Sequence, residues 1–490
     1  LSLLVSQGYT KSIGDAQRYR VVIVGAGVSG FTAAATLLEH NVTDLVVLEA
    51  ADRIGGRINT VQFGGVPIDK GAEFCHGEED NRVYELVSPH NFLASYQDLL
   101  DGEQCMYVNS SGDRLDTQKM ANIIETAMEH EMFGEELSHF NGSIGDFFNP
   151  RLDVLLRSEN LDPQLSDALK YRIPQLECVS SATDSLYELG AWGSSNYKEC
   201  GGDQILKWRN GTGGYKTLFD IISKKFPTPS EELPVLNKTV LGKQVTRIER
   251  KEGEVEVTCA DGSTFLADHV IVSVSLGVLK KHAANMFHPA LPADKTAAIE
   301  TLGFGCVAKV FILFPNRWWP QDINVIAPIY SNKGVQDFIR NSNHGSWTSK
   351  TYGFYPVVNH DSMLCAWFSG PGCRTVEGLS DEQVTEGLME LLDKLVGKMY
   401  NISKPEGILR SDWGTYPYTL GAYNYRTVAS DSRNLSNSDL AESILDDHNK
   451  PVILFAGEAT HPHYFSTVHG AIETGRREAH NILNYMKNKQ

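Results

Sequence analysis

Residues 19–49 constrain this chain more than any other stretch. Tyr19-Arg-Val-Val-Ile-Val24 is β-branched and apolar on both faces, the pattern of a strand buried on two sides. Gly25-Ala-Gly27-Val-Ser-Gly30 follows at once, residues 31–40 carry a helical apolar stripe, and Asp44-Leu-Val-Val-Leu-Glu49 is a second strand. Strand, glycines, helix, strand and acid in this order make a βαβ unit that takes a dinucleotide. Gly25 makes the tight turn, Gly27 lets backbone approach a pyrophosphate, and Gly30 lets helix pack on strand. The helix N-terminus offers partial positive charge to phosphate. Glu49 would accept from a ribose 2′-OH, which favours an unphosphorylated adenosine ribose.

Two further segments exceed what NAD requires. Ala50-Ala-Asp-Arg53-Ile-Gly55-Gly56-Arg57 brings two arginines able to pair with pyrophosphate, and glycines over which a ligand can lie. Near the other end, Pro451-Val-Ile-Leu-Phe-Ala456 reads as a buried strand, followed by Gly457-Glu458 and a helix over 471–486. Residues 21–57 resemble the FAD-binding start of the flavin amine oxidase superfamily, which includes monoamine, polyamine and L-amino-acid oxidases. Phe455-Ala-Gly-Glu-Ala-Thr-His461, with Ser466-Thr-Val-His-Gly-Ala471, is similar to animal polyamine oxidases. The resemblance covers residues 19–486. It implies that Glu458 meets the ribityl chain, that Val468 lies against the isoalloxazine and that Val245 touches adenine. It also implies flavin contacts for Gly71, Ala72, Glu73, Phe74, Trp413 and Thr467. The loop over 412–425 has no Cys, so FAD is expected without a covalent bond.

Gly305-Cys-Val-Ala-Lys309-Val-Phe-Ile-Leu-Phe314 is a strand with both faces apolar, Lys309 sharing one with Phe311 and Leu313. A buried ammonium is costly, and an unpaired one there points to a functional site or to a lysine that reaches the strand edge. The resemblance implies a lysine bonded through water to flavin N5. It also places His76, in Gly71-Ala-Glu-Phe-Cys-His76-Gly77, beside the substrate amines. Glu78, first of three consecutive acids, would help draw polycations into a channel. Tyr423, Tyr425, Phe465 and Thr467 are candidate walls, since aromatic faces attract amines. Phe465 stands where vertebrate polyamine oxidases carry Tyr.

The resemblance implies oxidation of a polyamine by hydride transfer to flavin N5, with O2 as acceptor and an aldehyde, a shorter amine and hydrogen peroxide as products. A monoamine or L-amino-acid oxidase and a non-catalytic flavoprotein are the alternatives. With 61 acidic and 44 basic residues the formal charge is −17, and no basic patch suits a nucleic acid. No stretch of eighteen apolar residues would span a membrane. The eight cysteines form no CxxC pair, so no metal site is expected, while disulfides are permitted. Leu1-Ser-Leu-Leu-Val5 followed by Ser6-Gln-Gly8 resembles the tail of a secretory signal. Sequons at Asn41, Asn109, Asn141, Asn210, Asn237, Asn401 and Asn434 add to an expectation of secretion, with the cytoplasm as alternative.

The expected fold is α/β in two discontinuous domains. A doubly wound FAD-binding domain takes residues 19–95, 210–290 and 410–490. A mixed-sheet, helix-covered substrate domain takes 96–209 and 291–409. Residues 1–18 form a leader remnant or flexible N-terminus. Charged helical stretches near 115–170 and 380–400 suit a cover over the substrate site.

Overall fold

β1 (Gln17–Val24), α1 (Val28–Glu39) and β2 (Leu45–Leu48) form the βαβ unit in a computed structural model that describes residues 16–96, 104–129 and 135–489. The leader reading at residues 1–8 lies outside the described residues. β1 runs parallel to β2 on one side and to Thr264–Val272 on the other. Pro451–Phe455 continues the parallel order beyond Thr264–Val272. Period-2 alternation sends Val21, Ile23, Leu45 and Val47 into one core and Val22, Val24, Val46 and Leu48 into another. The central parallel strands of the nine-stranded sheet are thus buried on both faces, which explains their near-continuous apolar runs. α1 and the long helix Val468–Asn488 cover one face, with Phe31, Ile472, Ala479 and Ile482 in a single cluster.

A second sheet has six strands, with Val307–Leu313 between Gly407–Arg410 and Met363–Ser369. Ala308, Val310 and Ile312 enter the core on one side, and Phe311 joins Ile68, Met363 and Cys365 on the other. Lys309 faces that second side. A three-stranded sheet, Phe74–Cys75 with Leu206–Trp208 and Leu93–Ser95, lies beside the βαβ unit. The fold is α/β, with its sheets distinct and its helices laid against them.

The helical cover needs one correction. Thr117–Met128 and Pro163–Ser180 do reach the central cavity, through Met128, Glu177, Val179 and Ser180. Asp381–Val396 does not. Its apolar face, Val384, Leu388, Leu391, Leu392 and Leu395, packs into the core of the six-stranded sheet. Amphipathic spacing shows that a helix buries one face, not which partner receives it. Cys306 and Cys373 form a disulfide with Cα atoms 6.0 Å apart, and the other six cysteines are free. No helix among the described residues is long and apolar enough to cross a membrane.

Candidate active site

One cavity of about 1280 Å³ joins the βαβ unit to the six-stranded sheet. It exceeds the several hundred cubic ångströms of a small-ligand pocket, so it has room for a dinucleotide and a second molecule. At its phosphate end the glycines divide their work. Gly25 holds a left-handed φ of +104°, and a Cβ there would meet Ser273 Oγ at 2.8 Å. A Cβ on Gly30 would strike Gly25 O at 2.0 Å, and Gly30 does not line the cavity, so it serves packing. A Cβ on Gly27 would meet nothing within 4 Å: it would occupy open cavity at the mouth of α1. That space suits a pyrophosphate. Glu49 is buried at the end of β2, its two oxygens accepting Ala26 N–H at 2.7 Å and Ala51 N–H at 2.8 Å. The remaining lone pairs face the cavity that Val245 also lines.

The arginines have protein partners of their own. Arg53 donates to Ile54 O, Ile58 O and Gly56 O, so three of its five N–H groups brace its own loop while it lines the cavity. Arg57 pairs with Glu458 at 2.8 Å and donates to Ala422 O at 2.8 Å. Glu458 also accepts Ser466 N–H at 2.9 Å. The two residues read separately as pyrophosphate and ribityl ligands therefore form one ion pair that ties the N-terminal loop to the C-terminal one. Gly457, Gly56, Ala72, Phe74 and Val468 line the same cavity. Trp413 is buried and donates to Lys70 O at 3.2 Å, and its ring leaves no room for a Cβ on Gly71.

Lys309 is buried and lines the cavity, but it is paired. Its ammonium donates to Glu73 at 2.6 Å, Gly71 O at 2.8 Å and Asp69 O at 3.4 Å, and lies 4.7 Å from the centre of the Trp367 ring. Glu73 also meets Lys207 at 3.4 Å. Burial alone would raise the Glu73 carboxyl, but Lys207 and Lys309 together hold it below its usual value. Asp69 goes the other way, pushed up to about 6 by burial against the opposing hydrogen bonds of Thr60 and Tyr215. The sequence reading of an unpaired lysine missed its partner because 236 residues separate them.

His76 is open to the cavity while protein crowds it on the other sides. Its Nδ1 lies 2.9 Å from Gln204 O, so Nδ1 carries the proton and Nε2 keeps a lone pair. Burial lowers its pKa, with the Gln204 hydrogen bond opposing. Glu78, expected at the channel, does not line it. The turn at Gly77, φ +89°, redirects the chain, and the Glu78 carboxylate accepts Asp203 N–H at 3.4 Å.

The expected walls all line the cavity. Tyr423 donates its hydroxyl to Val179 O at 2.9 Å and Tyr425 to Glu188 at 2.9 Å, which fixes both rings. Phe465 stacks edge-on with Tyr197 at 5.3 Å. The Thr467 hydroxyl caps Val468–Asn488 by accepting Gly470 N–H at 3.0 Å and donates to Tyr464 O at 2.7 Å.

The sequence pattern of the flavin-containing amine oxidoreductases matches residues 28–483. The chain belongs to that family. It is 31% identical to the human peroxisomal N(1)-acetyl-spermine/spermidine oxidase, covering 97% of each chain. The Bos taurus protein of the same name is 30% identical, over 95% of this chain and 94% of the other. A probable polyamine oxidase of Arabidopsis thaliana is 27% identical over 96% and 99%. A solved structure of a putrescine oxidase redesigned in its cofactor binding superposes with a TM-score of 0.68 at 18% identity, covering 96% and 100%, a likeness of fold.

In this oxidoreductase a flavin fits the phosphate cradle, Glu49 and the Trp413 wall. Lys207, Glu177 and Trp367 are among the lining residues that escaped the sequence. Lys207 sits in a three-residue strand, too short to show a period. Glu177, on Pro163–Ser180, accepts from Ser181 at 2.8 Å and is raised by burial. Trp367 lies beneath Lys309. Only the helical spacing of Glu177, or the strand register of Trp367 opposite Lys309, carried any signal.

Proposed function

We propose that the chain oxidises polyamines, spermine, spermidine or their N1-acetyl forms, with FAD held non-covalently. Bond by bond, the carbon beside a secondary amine loses a hydride, the imine takes up water, and the C–N bond breaks to an aldehyde and a shorter amine. O2 gains the two electrons and two protons and leaves as hydrogen peroxide. When bound, the flavin supplies the acceptor for that hydride and the route to O2.

The carrying observation is the cavity wall: the anchored Tyr423 and Tyr425 rings, with the half-buried Glu177 carboxyl lining the same cavity. Such rings attract amines and exclude water. His76, neutral at pH 7 with its Nε2 lone pair toward the cavity, accepts a proton from the reacting ammonium. The printed names of the human and bovine relatives support the substrate class.

Secretion is part of this reading. Six of the seven sequon asparagines, all but Asn109, are exposed, and the buried Cys306–Cys373 disulfide suits an oxidising compartment.

The test is anaerobic mixing of the flavin-loaded protein with spermine, spermidine, N1-acetylspermine, a monoamine and an L-amino acid while visible absorbance is followed. Rapid bleaching by polyamines alone is expected. Bleaching only by the monoamine or amino acid would overturn the substrate class.

A further inference from the structure

Amine oxidation makes a geometric demand. The base must reach the nitrogen while the neighbouring carbon faces the hydride acceptor, so the base and the cofactor end of the cavity need a fixed separation. The helix Val468–Asn488 is the frame of that end. Thr474 Oγ1 lies 3.3 Å from Ser29 Oγ of α1, and Val468 and Ala471 line the cavity. His76 stands on a different segment, in the turn after Phe74–Cys75. One side chain joins the two. Asn81 is fully buried and uses every hydrogen-bonding position it has. Its Oδ1 accepts Val83 N–H at 2.8 Å and Tyr84 N–H at 3.2 Å, which caps the helix Arg82–Val87 and fixes the way the amide points. Nδ2 therefore carries its two hydrogens to the other side, one to His76 O at 2.8 Å and one to His469 Nδ1 at 3.3 Å, across 388 residues of sequence.

The circle closes behind His76. His469 holds its own proton on Nε2, 3.7 Å from Cys200 Sγ. The Gln204 side chain donates to Cys200 O, and the Gln204 carbonyl takes the His76 Nδ1–H at 2.9 Å. The turn is also pressed against this segment: a Cβ on Gly77 would meet Cys200 Cβ at 2.4 Å. Cys200, His469 and Asn81 have the composition of a nucleophilic triad but not its wiring. The amide donates to the imidazole, so Nε2 is protonated and takes no proton from sulfur, and burial pushes the Cys200 thiol up to about 11. The cluster holds a shape; it does not attack.

We propose that Asn81 is a positioning residue for the oxidation: its amide ties the backbone of His76 to the helix Val468–Asn488 and so sets the distance from base to cofactor end. This rests on the reading above of His76 as the base.

The experiment compares the flavin-loaded wild type with Asn81→Asp, Asn81→Ser and His76→Gln, using whichever amine bleaches the wild type fastest. Asn81→Asp keeps the size and the cap acceptors and loses the donor to His76 O. Asn81→Ser keeps a cap acceptor, adds no charge and is too short to bridge. Anaerobic bleaching and peroxide release give kcat and KM, flavin fluorescence gives FAD affinity, and far-UV circular dichroism establishes that each variant is folded. Both Asn81 variants should lower kcat and the bleaching rate at least about tenfold, within the scale of a misplaced catalytic group, while KM and FAD affinity stay within about threefold. Wild-type kcat in both overturns the proposal. So does a loss in only one of them, which would trace to charge or to size, and so does a parallel loss of KM, FAD affinity and kcat, which would mark a structural cap alone. If His76→Gln keeps wild-type kcat, the reading of His76 as base fails and this proposal falls with it. A slow His76→Gln beside wild-type Asn81 variants sinks this proposal alone.

Discussion

At the scale of single residues, Glu73 holds the most. It is the shared counter-charge of Lys309 and Lys207, with all three side chains largely buried. Removing one partner of a buried pair leaves an uncompensated charge, so Glu73→Gln should cost about 3 kcal/mol or more in urea unfolding. Adding Lys207→Met to Glu73→Gln should recover part of that loss, which a double-mutant cycle measures. His469 carries a pH prediction. It is buried between Cys200, 3.7 Å from Nε2, and Asn81, 3.3 Å from Nδ1, and burial first, then the charge of His76, depress its pKa to about 4. The unfolded histidine, with a pKa near 6.5, binds more protons between those values. Its contribution is therefore complete above about pH 6.5 and lost as pH falls through 4, on the order of 3 kcal/mol in all. Denaturation midpoints across that window check it, and His469→Gln should flatten the slope. Of these residues, Lys309 was legible because seven consecutive strand residues gave it a face and a burial. Glu73 as its partner was not, because side-chain pairing across the fold leaves no local period.

At the scale of elements, the turn between β1 and α1 separates two uses of glycine. Gly30→Ala drives a methyl into Gly25 O and should lower the melting temperature whether or not FAD is present. Gly27→Ala meets no protein atom, so the apoprotein should melt like wild type while FAD affinity, read by flavin fluorescence, falls at least about tenfold. An equal melting loss in both variants would contradict this division. The βαβ unit was legible because its strands are buried on both sides and its glycines follow without a spacer. The destination of Asp381–Val396 was hidden, since its apolar stripe suits any apolar surface. Arg53 was hidden for a similar reason: sequence shows a cation near a ligand loop, but not that three backbone carbonyls of that loop already take it.

At the scale of the whole molecule, the Cys306–Cys373 link fastens the segment leading into the Lys309 strand to Gly370–Gly378 across 67 residues. Closing a loop of that length removes unfolded-state entropy worth about 4 kcal/mol at most, so Cys373→Ser should lose about 2–4 kcal/mol, read as a drop in denaturation midpoint that a reductant reproduces in the wild type. The Arg57–Glu458 ion pair, finally, has a consequence for biosynthesis. It joins two loops 401 residues apart, and Pro451–Phe455 and Val468–Asn488 complete the sheet and helical layer that residues 17–48 began. The nucleotide cradle stays half-walled until residues 451–488 have been synthesised. FAD is therefore expected to load only once residues 451–488 are in place.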